Sequence, residues 1–295
     1  MKIAAVVVTY NRLELLKKCI DALRNQSYQL DRIIIIDNSS GDGTWKYLLS
    51  LDFVDSVRQQ NSGGAGGFCA GIKKAYSEGF DLVWCMDDDN EPEYNSLKYL
   101  LERVDSDERI FNSLCIEKIT NDPCFGLYIN GKLSLDINEI SKNEIIKSAN
   151  FFNGTLIPRE VIKRIGFPNP HYWEQGDNFD YFLEAIEKGI SSITITKSII
   201  YHPKQNYKLI KFFGKDYKYA IMSSFKKRIF IRNILFIYKT RSSFTLRNMF
   251  RIIVFECIGI FKYQPGSVLS FLSGIVIGLF TTKKIILLNK EYPLI

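Results

Sequence analysis

The sequence contains only two histidines, His171 and His202, in 295 residues, and its six cysteines include no Cys-x-x-Cys pair. That scarcity excludes a zinc framework and a disulfide scaffold. Cys19, Cys69, Cys85, Cys115, Cys124 and Cys257 read as reduced core residues of a cytosolic protein, several of them lying in apolar runs. No apolar run reaches the roughly 20 residues of a membrane-spanning helix. The opening "MKIAAVVVTYNR" has a short apolar run without a cleavage site, so it reads as a first strand and not as a signal peptide. Internal repeats and low-complexity linkers are also missing. The glycine-rich "NSGGAGGF" lacks the GxGxxG spacing of a dinucleotide site. The first strand–helix loop, "TYNRLELL", lacks the Lys-containing, Gly-rich signature expected of a nucleotidyltransferase.

What is present is an ordinary globular composition, 46% hydrophobic and 24% charged, with an uneven distribution of charge. Residues 203–295 hold 17 Lys and Arg against three acids, Asp216, Glu256 and Glu291. The first 202 residues hold 22 Lys and Arg against 29 acids, so a net +7 hides an acidic body and a basic tail. A basic tail of this kind suits nucleic acid or an anionic membrane surface. Its two apolar runs, "RIIVFECIGIF" and "VLSFLSGIVIGLF", are separated by "KYQPGS" and flanked by basic residues. That pattern favours helices lying in a membrane interface over nucleic-acid binding. The alternative is a helical domain packed on the body.

The first hundred residues alternate strand and helix patterns. "KIAAVVVTY" is a continuous apolar, β-branched run, as in a strand buried on both faces. "NRLELLKKCIDALRNQ" carries Leu13, Leu16, Ile20 and Leu23 at helical spacing. "DRIIIIDNSS" is a strand, "DGTWKYLLSL" a helix, "SVRQQN" a short strand, "GGFCAGIKKAYSEG" a helix and "FDLVWCM" the fourth strand. This alternation implies a mostly parallel sheet flanked by helices. "NEPEYNSLKYLLERV" predicts a further helix, the region 105–150 is weakly patterned with a hairpin turn at Asn130-Gly131, and helices are expected near Arg159–Ile165 and over "DNFDYFLEAIEKGI". "SSITITKSIIYHP" predicts a pair of strands ending in His202.

Polar residues gather wherever a strand ends: Thr9 to Arg12, Asp37 to Ser39, Asn61 to Gly67, and Asp87 to Asp89. Ligands of open α/β sheets bind outside the carboxyl ends of the strands. Three adjacent aspartates repel one another and need a compensating cation or hydrogen-bond network wherever they are enclosed.

"VVVTYNR", "IIIIDNSSGDGT", "NSGGAGGFCAGIKKAYSEGFDLVWCMDDD" and "GDNFDYFLEAIEKG" followed by "IYH" together resemble the family-two, inverting glycosyltransferases of the GT-A fold. "NSGGAGGF" with "MDDD" is most similar to bacterial galactofuranosyltransferases. The similarity spans roughly residues 1–205, taken as the catalytic domain, with 206–295 as the basic, membrane-associating helical region. The rhamnosyltransferase branch, using dTDP-rhamnose, usually shows an Asn-Pro-Asp-like strand ending instead.

The resemblance implies a role for each residue. Asp87 and Asp89 match the carboxylates that hold Mg²⁺ or Mn²⁺, and His202 matches the histidine that often completes the metal site. Asp88 falls to ribose or sugar hydroxyls of the donor. Thr9, Tyr10 and Arg12 stand where the nucleotide is contacted, and Asp37 where the uracil ring donates a hydrogen bond. Asn61, Gly63, Gly64, Gly66 and Gly67 let backbone approach the donor. Trp173 is a candidate for stacking on a sugar.

The family's general base lies in an acidic motif that here reads "EQGDNFDY", with Asn178 where the second acid is expected. An amide cannot accept a proton at neutral pH. Asp177 or Asp180 therefore serves as base, or the chain is a catalytically impaired, membrane-bound homologue. The implied partners are UDP-galactofuranose, a glycan or polyprenyl-diphosphate-linked acceptor, and an anionic membrane, at the cytoplasmic face of the inner membrane.

Overall fold

The computed structural model describes residues 1–104, 109–204, 206–241 and 246–281. The last stretch of the expected interfacial region, 282–295, lies outside the described residues. The chain forms two compact units, Met1–Pro170 with Asn178–Lys204, and His171–Asp177 with Gln205–Ile295.

The first unit is built on β1 (Ile3–Thr9), α1 (Leu13–Arg24), β2 (Arg32–Asp37), α2 (Thr44–Leu48), β3 (Val54–Arg58), α3 (Gly63–Ser77) and β4 (Leu82–Asp87). It continues through β5 (Glu91–Pro92), α4 (Ser96–Leu101), β6 (Arg109–Ile116), the hairpin β7 (Leu127–Ile129) and β8 (Lys132–Ser134), α5 (Ile137–Ile140) and β9 (Ile145–Ile146). It closes with β10 (Asn153–Pro158), α6 (Arg159–Ile165), α7 (Asp177–Glu187), whose first residue belongs to the second unit, and β11 (Ser191–Tyr201).

The sheet order is β3-β2-β1-β4-β10-β6-β11-β5, with β9 pairing β11. β1, β2, β3 and β4 run parallel, as do β6 and β11, while β10 runs antiparallel between β4 and β6. Every residue of β1 is buried. Successive side chains on a strand point to opposite faces, so Ile3, Ala5 and Val7 enter one core with Trp84, while Ala4, Val6 and Val8 enter another with Phe68. Helices cover both faces because neither can meet water.

Three local expectations are corrected. The helix after the aspartates is preceded by the two-residue strand β5, which pairs with the end of β11. "SSITITKSIIYHP" forms one strand, β11, whose register against β6 shifts between Ile195 and Ile199, and that irregularity breaks its alternation into two apparent pieces. The weakly patterned region hides β6, a strand of the central sheet. Its Asn112 is fully buried but satisfied, donating to the Ser192 hydroxyl (2.9 Å) and the Ile193 carbonyl (3.0 Å) and accepting from Thr155 (2.9 Å).

The second unit contains the hairpin β12 (Tyr207–Phe212) and β13 (Lys215–Ala220), then α8 (Ser224–Thr240), α9 (Leu246–Tyr263) and α10 (Val268–Phe280). Ile231, Leu235, Phe255, Ile260 and Phe271 form its core around Tyr219. α10 approaches α8 through Gly274 and Gly278, where a Cβ would lie 2.6 Å from the Arg228 carbonyl and 2.9 Å from the Arg232 carbonyl. Among the described residues no helix is long and apolar enough to cross a membrane.

Candidate active site

β1 and β4 are neighbours, with Val8 opposite Asp87, so the residues that follow both strands emerge together. Asp88 is buried; its Oδ2 accepts from the Thr9 hydroxyl at 2.7 Å and its Oδ1 from Arg12 Nη1 at 3.2 Å. The same Nη1 donates to Asp89 Oδ2 at 2.8 Å. One guanidinium thus compensates two adjacent carboxylates by charge-assisted bonds. Burial pushes the Asp88 carboxyl up to about 6 against the opposing pull of Arg12 and Thr9, with Asp89 adding to the rise. Burial pulls the Arg12 guanidinium down, but Asp88 and Asp89 more than offset it and the net shift is upward.

Asp89 Oδ1 is different: it is buried and has no hydrogen-bond partner. β5 follows the aspartates immediately and pairs Glu91 with Tyr201 of β11, which brings His202 to Asp89. His202 Nε2 lies 3.6 Å from Asp89 Oδ1. Its Nδ1 is 2.6 Å from the Pro203 carbonyl, which can only accept, so Nδ1 donates in that bond and Nε2 is the ring nitrogen turned toward the carboxylate. A carboxylate oxygen without a hydrogen bond and an imidazole nitrogen turned toward it fit a shared cation. A hard oxygen and an imidazole nitrogen are donors that Mn²⁺ or Mg²⁺ accepts, and a ring held by its second nitrogen is the usual support for a metal-bound histidine. Among the described residues no three His, Cys, Asp or Glu side chains gather as a metal site. Asp89 and His202 therefore stand as a pair, and the carboxylate of Asp87 does not complete a set of three with them.

The loops after β1 and β2 are laced together. Asn38 N–H donates to the Thr9 carbonyl (3.0 Å), Asn11 N–H to the Ser40 hydroxyl (2.9 Å), and Gly41 N–H to Asn11 Oδ1 (2.7 Å). Asp37 is fully buried; its Oδ1 accepts from Ser40 N–H at 2.9 Å. Its Oδ2 has no hydrogen bond, and the charge of Arg58 Nε lies 3.5 Å away. Gln59 donates to Asn38 Oδ1 (2.8 Å) and the Ser62 hydroxyl (2.7 Å), Asn38 donates to the Gly63 carbonyl (3.1 Å), and Asn61 Oδ1 accepts from Gly63 N–H (3.0 Å). Arg58 and Gln59 were not marked by any motif; only their position at the end of β3 and just past it signals them. Tyr10 is exposed beside this network.

The glycines divide by role. Gly63 has φ +68°, and Gly64 has open space around it at the start of α3. A Cβ on Gly67 would meet Val8 Cγ1 at 2.3 Å, and one on Gly71 would meet Val6 Cγ1 at 2.3 Å. A Cβ on Gly66 would meet Ser62 Oγ at 2.1 Å. Gly66 and Gly67 therefore have a packing role within the unit.

Asp177 and Asp180 in the first turn of α7 are both buried, whereas Asn178 is exposed and its Oδ1 accepts from Phe179 N–H at 2.8 Å. Trp173 and Asp177 belong to the second unit; Asn178, Asp180 and the strand-end residues belong to the first.

Residues 4–148 match the family model described as Glycosyl transferase family 2. The chain is 28% identical over 214 residues to the galactofuranosyltransferase GlfT1 of Mycolicibacterium smegmatis, covering 68% of this chain and 70% of that protein. It is 29% identical over 181 residues to the GalNAc(5)-diNAcBac-PP-undecaprenol β-1,3-glucosyltransferase of Campylobacter jejuni, covering 59% of this chain and 55% of that protein. Among solved structures, GalNAc-T7 with UDP, GalNAc and Mn²⁺ superposes with a TM-score of 0.58 at 14% identity, covering 82% of this chain and 48% of that one. At that identity the likeness speaks for the fold, a GT-A-like α/β architecture.

Proposed function

Starting from a chain that is a family 2 glycosyltransferase resembling galactofuranosyltransferases, we propose that it moves galactofuranose from UDP-galactofuranose, with inversion, to a hydroxyl of a glycan or polyprenyl-diphosphate-linked acceptor in cell-surface polysaccharide synthesis. The observation that carries the metal-dependent part of this reading is the unpartnered Asp89 Oδ1 facing His202 Nε2. A divalent cation held by these two residues would supply positive charge against the departing diphosphate. The GlfT1 relative supports the donor sugar, and the undecaprenol-linked substrate in the name of the Campylobacter jejuni relative supports the acceptor class.

In this reading Asp37 Oδ2 accepts the uracil N3–H, since it is a buried carboxylate oxygen that forms no hydrogen bond and has only the charge of Arg58 nearby. Asp88 takes a ribose or sugar hydroxyl through the second lone pair of an oxygen already bonded to Thr9 or Arg12. Asp177 is the base. It takes the proton of the acceptor hydroxyl as that oxygen bonds to the anomeric carbon from the face opposite the diphosphate. The bond to the β-phosphate oxygen breaks, and UDP leaves with the electron pair. Asn178 has no part in the proton transfer.

We also infer a peripheral location at the cytoplasmic face of the inner membrane. Its support is the excess of basic residues after position 202 and the exposed Leu246, Phe250 and Phe261 of α9 with Leu269, Val276 and Phe280 of α10.

The test is release of nucleotide from UDP-galactofuranose, UDP-galactose and dTDP-rhamnose, each with Mn²⁺ or EDTA. Release from UDP-galactofuranose that EDTA abolishes is the expected result. Release from dTDP-rhamnose alone, or release indifferent to EDTA, overturns the donor or the metal respectively. Turnover by the parent chain also removes the reading of it as an impaired homologue.

A further inference from the structure

The segment His171–Gly176 runs directly into Asp177 and holds an unusual backbone. Trp173 has φ +65°, Gln175 +64° and Gly176 +104°. Left-handed conformations at two non-glycine residues so close together are strained, and persist only where surrounding contacts over-determine them. The contacts here come from two adjacent side chains of α8, within the same unit.

Asn233 is buried, and its Nδ2 lies 2.9 Å from the Tyr172 carbonyl, 2.9 Å from that of Glu174 and 2.6 Å from that of Gln175. Its Oδ1 accepts from Arg232 Nε at 2.8 Å, which fixes the amide with nitrogen toward the loop. Arg232 Nη2 donates to the His171 carbonyl at 3.2 Å and the Tyr172 carbonyl at 3.0 Å. Four of five consecutive carbonyls are thus gripped by two side chains. Lys226 of the same helix pairs with Glu174, and a Cβ on Gly176 would sit 3.4 Å from Asn233 Cβ, so the loop lies close on the helix. Burying an arginine and an asparagine is costly unless their hydrogen bonds are met. Here they are met by loop backbone.

We propose that Asn233 and Arg232 are positioning residues for the transfer reaction: they lock the 171–176 loop in its left-handed form and so fix where Asp177 stands at the head of α7. The inference rests on the reading of Asp177 as base. It gives the second unit a part in turnover itself, separate from any role at a membrane.

The test uses the full chain with Mn²⁺, UDP as ligand and UDP-galactofuranose as donor, water serving as acceptor. Asn233→Ala is expected to keep its UDP affinity within about twofold while kcat for donor hydrolysis falls by about tenfold or more, since small displacements of a reacting group cost rate steeply. Amide hydrogen exchange should quicken across residues 172–178 and stay unchanged in β1 and β4. Adding Gln175→Gly should restore about three- to fivefold of the lost kcat, because glycine holds positive φ without steric cost. A merely structural role would show no such rescue. Arg232→Met provides a second variant should Asn233→Ala fold poorly.

Parental kcat in both variants overturns the proposal, as does a loss of UDP affinity in step with kcat. If the parent chain releases no UDP from the donor, the functional reading falls on its own. Unchanged exchange across 172–178 in Asn233→Ala then overturns the clamp independently.

Discussion

The two units handle buried polarity in opposite ways. In the first, the sheet interior between the helices is mostly apolar, and charged groups stand at the strand ends, where some oxygens form no hydrogen bond: Asp37 Oδ2 and Asp89 Oδ1. In the second, charge sits inside the core. Lys227 is fully buried, bonds Glu256 Oε2 at 2.8 Å and lies 4.2 Å from the centre of the Tyr219 ring. Burial pushes the Glu256 carboxyl up, while Lys227 draws it back. Among the described residues, the buried side-chain atoms left without a hydrogen bond all lie in the first unit, two of them at these strand ends. The second satisfies its polar atoms internally and spends them on fixing one arrangement of helices and loop.

That contrast predicts that substitutions in the two units fail differently. The largest effect is expected at Asp89→Asn, which should lower kcat by about 10³-fold, or about 4 kcal/mol of barrier, with a urea midpoint close to the parent's. A large loss of stability in that variant would mean the strand-end oxygens are structural after all, and the contrast would break. Next, Lys227→Met should strand Glu256 in the core and cost about 3–5 kcal/mol of stability, while Lys227→Met with Glu256→Leu costs much less than either change alone. Urea unfolding of the three variants reads this directly, and additive losses would show that the pair does not act as one. The smallest effect concerns the exposed apolar faces. Leu269→Ser with Phe280→Ser should weaken binding to anionic liposomes, read by flotation, by about 30-fold or more without altering nucleotide release, each side chain contributing about 1–2 kcal/mol of burial. Undiminished flotation would remove α10 from the proposed membrane contact.

Much of the first unit was legible because its strands are simple. β1, β2 and β4 are buried on both faces, and nothing in their sequences competes with that reading. β6 was hidden by Asn112 and Ser113, polar residues whose partners come from β10 and β11, far away in sequence. The triple aspartate pointed to the site, but its compensation by Arg12 depends on β1 and β4 being neighbours, which spacing alone does not state. His202 was signalled by its place at a strand end. Asn233 and Arg232 carried no signal, since on a helix two adjacent polar residues look like a solvated face until the loop that covers them is known.

The reversed strand in the middle of the sheet bears on how the chain is made. Residues 3 to 87 already contain four parallel strands and their helices, and they can assemble as the chain emerges. The outer edge of β4, an almost wholly apolar strand, has no neighbour until Asn153–Pro158 arrives to pair with it. An unpaired apolar edge is where chains stick to one another. For the time taken to translate those intervening residues, the strand that will present the aspartates is the part of the nascent protein most in need of shelter.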